Sequence, residues 1–118
     1  MEPLQLRLQP VPGSASKARD SVLAWSQYLD PESLADLRTV VSELVALSVK
    51  YGGSGPIDLR LELDQAEVKG SILDSTAHAV ATAAERASFA LRIIEGMVDE
   101  WSTDPERRAV WFRMSTAA

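Results

Sequence analysis

Leu4, Leu6 and Leu8 alternate with Gln5, Arg7 and Gln9, the period-two pattern of a half-buried strand, and Pro10 with Pro12 ends it. From Ser14 to Leu29 the apolar positions Ala18, Val22, Trp25 and Leu29 step by four, three and four, which predicts one face of a helix. Asp30-Pro31-Glu32 then supplies an N-cap with proline at the first helical position. The second helix has an inner stripe of Leu34, Leu37, Val41, Leu44 and Ser48, and Gly52-Gly53 is expected to stop it. Ile57, Leu59, Leu61 and Leu63 alternate with Asp58, Arg60, Glu62 and Asp64, and a second run from Val68 to Leu73 completes a hairpin. Ser75 to Arg86 reads as an irregular or partly helical connection. A third helix is predicted from Ala87 to Trp101, with Phe89, Ile93 and Met97 on one stripe and Leu91, Ile94 and Val98 widening it. Thr103-Asp104-Pro105-Glu106 reads as a turn, and Ala109 to Met114 as the last strand.

Paired helices beside an antiparallel hairpin predict an α+β, two-layer sandwich. Four to five strands in a mixed or antiparallel sheet would carry about three helices on one face and leave the other face open. The 118 residues, 46% of them apolar, are expected to form a single domain with one core.

Charge and composition narrow the chemistry. Seventeen acidic against twelve basic residues leave a net charge of −5, which argues against a duplex nucleic-acid binder held by phosphate contacts. Without cysteine, disulfides, thiolate metal sites and cysteine nucleophiles are excluded, and the single histidine, His78, excludes a multi-histidine zinc site and reads as a loop residue. No apolar run approaches the ~20 residues needed to span a bilayer, so a soluble cytoplasmic protein without membrane contact is expected. The aromatic set Trp25, Trp101, Trp111 and Phe112 is expected to pack in the core and sheet.

Four segments carry a resemblance. SELVALSVKYG, Ser42 to Gly52, resembles the N-box helix of the histidine-kinase-like ATPases, in the branch of the anti-sigma-factor serine kinases; Tyr51 stands where that branch has a histidine. The hairpin ending at Asp74, the helix ALRIIEGMVDEW from Ala90 to Trp101 and the strand AVWFRM from Ala109 to Met114 follow in the branch's order and spacing. The resemblance implies Glu43 as the catalytic base of phosphoryl transfer to a serine and Asp74 as the reader of the adenine amino group. The asparagine that would hold Mg²⁺ is replaced by Leu47, which offers no oxygen to a hard cation. In the second glycine box, Ser88 and Ala90 stand where two glycines would let backbone amides approach phosphate. These residues also have plain structural readings: Glu43 as a solvent-facing helix residue, Asp74 as a strand-end turn aspartate and Ser88 as an N-cap.

Loss of the groups that position and neutralise the phosphates removes the catalyst. The expectation is therefore a non-catalytic regulatory module without bound cofactor or metal. By resemblance, it would bind a protein such as a sigma factor or an anti-sigma antagonist, and pairing with a second copy as a homodimer would follow the family pattern. Two alternatives stay open: an active serine kinase holding Mg-ATP through an altered pocket, and a small-ligand sensor using a pocket made apolar by Leu47.

Overall fold

The computed structural model of the chain describes residues 2–51, 55–73, 88–104, 106 and 109–116, with the backbone alone at 51 and 88–91. Among these residues the elements run β1 (Leu4–Leu8), α1 (Ser14–Ser21), a 3₁₀ turn (Val22–Trp25), α2 (Pro31–Tyr51), β2 (Ile57–Asp64), β3 (Glu67–Leu73), α3 (Ser88–Glu95), β4 (Glu100–Asp104) and β5 (Ala109–Ser115). The strands form one five-stranded antiparallel sheet in the order β1-β2-β3-β5-β4. The α+β architecture expected from the sequence is therefore the one observed, with β1 and β5 in a common sheet.

Parity along the strands separates the two faces. Leu8, Ile57, Leu59, Leu61, Val68, Ile72, Val110, Phe112 and Met114 point to one side, where they form a single buried cluster with the helices. Ala18, Val22, Trp25 and Leu29, together with Leu37, Val40, Val41, Leu44, Val45 and Leu47 of α2, supply its helical side. Gly70, directly across from Leu61 and Phe112, leaves room for the Phe112 ring on this inner side.

The stripe from Ser14 to Leu29 is buried as expected, but the segment is not one helix. After Ser21 the α-helix tightens into the 3₁₀ turn, and the Ser21 hydroxyl donates to the Ala18 carbonyl at 2.7 Å, competing with the helical ladder. Because Val22 and Trp25 are three apart, they stay on one side through the tighter turn. At its start, α1 is tied to the end of β1 by the Ser14 hydroxyl donating to the Gln9 carbonyl.

The third helix also ends earlier than the periodicity predicts. It stops at Glu95, the Met97 and Val98 amides close on the Ile94 carbonyl, and the Asp99 amide already donates to the Arg113 carbonyl of β5. Residues 100–104, partly assigned to helix and partly to a turn, are instead the edge strand β4. Trp101 fits either period: it is four residues after Met97, yet with Thr103 it also alternates as the half-buried side of a strand. Open hydrogen-bonding positions on β5 decide in favour of the strand. The Gly52-Gly53 stop and the 75–86 connection lie outside the described residues.

The hairpin turn between β2 and β3 places Gln65 at φ 55°, in the left-handed region that disfavours a residue with a Cβ. Gln65→Gly is expected to raise stability by up to about 1 kcal/mol, the relieved strain being partly offset by the freer unfolded chain. Urea unfolding checks this; a clear loss of stability would show that the turn conformation is not strained.

Candidate functional site

The site begins with α2, whose start is fixed by Asp30. Its carboxylate accepts the Ser33 amide at 3.1 Å, as an N-cap does for the third helical residue, and its carbonyl accepts the Leu34 amide at 2.9 Å. Twenty-one residues then run without a break to Tyr51. Over that length the buried arc is wider than the stripe read from the sequence, since Val40, Val45 and Leu47 join Leu37, Val41, Leu44 and Ser48.

Glu43 and Leu47 are one helical turn apart and share a side of α2. Glu43 is half-buried, whereas Leu47 is only 4% exposed and belongs to the core cluster that includes Ile94 of α3. At the position where the resemblance implies a Mg²⁺ ligand, the chain thus presents a buried hydrocarbon side chain. That part of the site does not fit a divalent cation, which takes oxygen ligands. Ser88 and Ala90 lie in the first turn of α3, with their side chains outside the described residues, as are Asp74 and His78. The structure therefore brings Glu43 and Leu47 together on one helix and leaves their distance to Asp74 undescribed.

The aromatic residues divide between the faces. Trp25 and Phe112 are buried and Trp101 is half-buried, while Trp111 packs on the sheet, 36% exposed, on the side opposite the described helices. Its neighbours Val110 and Phe112 point inward, so strand alternation forces it out.

That face, opposite the described helices, carries residues for which the sequence raised no functional expectation, although their alternation with the inward leucines was visible. Trp111 sits between Ser71 and Ser102 in the sheet register, beside a cleft lined also by Arg60, Lys69 and Arg113. The cations here are paired within the face. Arg7 grips Asp58 through two hydrogen bonds of 2.8 and 3.3 Å, which raises its pKa. Arg60 donates to Glu62 at 2.7 and 3.0 Å. Arg113 bridges Glu67 at 3.2 Å and Glu100 at 3.5 Å, and the Glu67 hydrogen bond is the main cause of its raised pKa. Exposed pairs of this kind contribute little to stability, so their effect is to fix side-chain positions across the strands.

Near this cluster, Asp99 accepts the Ser115 amide at 2.6 Å, and hydrogen bonding to Ser115 holds its carboxyl below the usual range. A depressed folded-state pKa contributes stability above the unfolded pKa that disappears as pH falls through the folded one. The stability difference between the native chain and Asp99→Ala is accordingly expected to be present at neutral pH and to narrow as pH falls below about 4. Chemical unfolding across that range checks it, and a gap independent of pH would remove the carboxylate from the explanation.

None of the curated proteins matches the chain. Among solved structures, the crystal structure of the RsbU and RsbW domains of Rv1364c from Mycobacterium tuberculosis is similar to it with a TM-score of 0.72 and 20% sequence identity. The similarity covers 98% of this chain but 32% of that one, so this chain spans about a third of that protein's length and shares its fold over that part. The sequence pattern of the histidine kinase-like ATPase domain matches residues 8–114, nearly the whole chain, with β2, β3, all of α2 and α3, the Glu43–Leu47 turn and all but the last residue of β5 inside the match. The chain belongs to the histidine kinase-like ATPase domain family.

Proposed function

We propose that the chain is a non-catalytic regulatory module of the anti-sigma type, which keeps the ATPase fold, has lost or much weakened Mg-ATP binding, and acts by binding a protein. The observation that carries this reading is Leu47, a buried aliphatic residue where the family resemblance implies an oxygen ligand for the metal. Phosphoryl transfer depends on groups that hold the phosphates and neutralise their charge, so a site without them keeps a binding surface and loses a reaction. The partner class is a sigma factor or an anti-sigma antagonist, in the cytoplasm, with a homodimer as the form in which the module works.

A thermal-shift titration tests the nucleotide half of this reading. Millimolar Mg-ATP is expected to leave the melting temperature unchanged. Ligand at ~100 times its dissociation constant would add ~2.7 kcal/mol, a rise on the order of ten degrees for a domain of this size. The control is a triple variant, Leu47→Asn with Ser88→Gly and Ala90→Gly, confirmed as folded by circular dichroism before titration; regained Mg-dependent binding would support a decayed pocket. A clear Mg-dependent shift in the unmodified protein, or phosphorylation of a serine on a candidate antagonist, would overturn the proposal in favour of an active kinase.

A further inference from the structure

We draw no further inference here: the strongest candidate, the cleft beside Trp111 on the face of the sheet opposite the described helices, has its arginines already paired with carboxylates of the same face, and nothing in the structure shows what covers it.

Discussion

Leu47→Asn is expected to destabilise the protein by about 3–5 kcal/mol, because it removes a buried aliphatic side chain and replaces it with an amide in the core. The first part is the familiar loss on shortening a buried leucine, to which an imperfectly satisfied amide adds on the order of 1–3 kcal/mol. Leu47→Met provides the comparison: it conserves volume and apolar character and should cost less than about 1.5 kcal/mol. Urea unfolding of the three proteins gives the answer directly. If Leu47 instead faced an open, water-filled pocket, asparagine there would be nearly neutral, and a cost under about 1 kcal/mol would refute the buried placement. The same variant bears on function. Where the resemblance implies an asparagine, the leucine here is part of the core cluster.

The sequence made some of this legible and hid the rest, for identifiable reasons. Alternation exposed β1 and β2 because one face of each strand is buried and the other is wet, and Asp30-Pro31 marked the start of α2 because capping chemistry is local. The end of the third helix was not legible. Phe89, Ile93, Met97 and Trp101 keep a helical spacing, and only the pairing of β4 with β5, a long-range interaction, breaks it after Glu95. Trp111 was expected in the core or on the sheet without a choice between them, although its parity relative to Val110 and Phe112 already pointed outward. At the candidate site, motif order located Glu43 and Leu47 on one helix, but a single stripe every three or four residues understated how much of α2 is buried. The resemblance therefore identified Leu47 as a missing ligand, while packing shows it as part of the core.

The second large effect concerns Gly70, in the middle of β3, where a glycine ordinarily weakens a strand. Its cross-strand neighbours are Leu61 on one side and Phe112 on the other. A Cβ added at Gly70 would fall on the Phe112 ring and within 3.0 Å of Leu61 Cδ2, so the ring lies over the glycine and fills the space a side chain would need. Phe112 is itself only 1% exposed and has little freedom to retreat. Gly70→Ala should therefore cost roughly 2–3 kcal/mol, although alanine is otherwise the mildest replacement for glycine and should lower the entropy of the unfolded chain. Phe112→Leu, which shortens the ring side chain, should reduce that penalty. The double variant is expected to be more stable than the sum of the two single effects by about 1–2 kcal/mol, a coupling typical of residues in direct contact. Equilibrium unfolding of the four proteins completes the cycle. Equal costs for Gly70→Ala with phenylalanine or leucine at position 112 would mean that the ring is not what reserves this position for glycine.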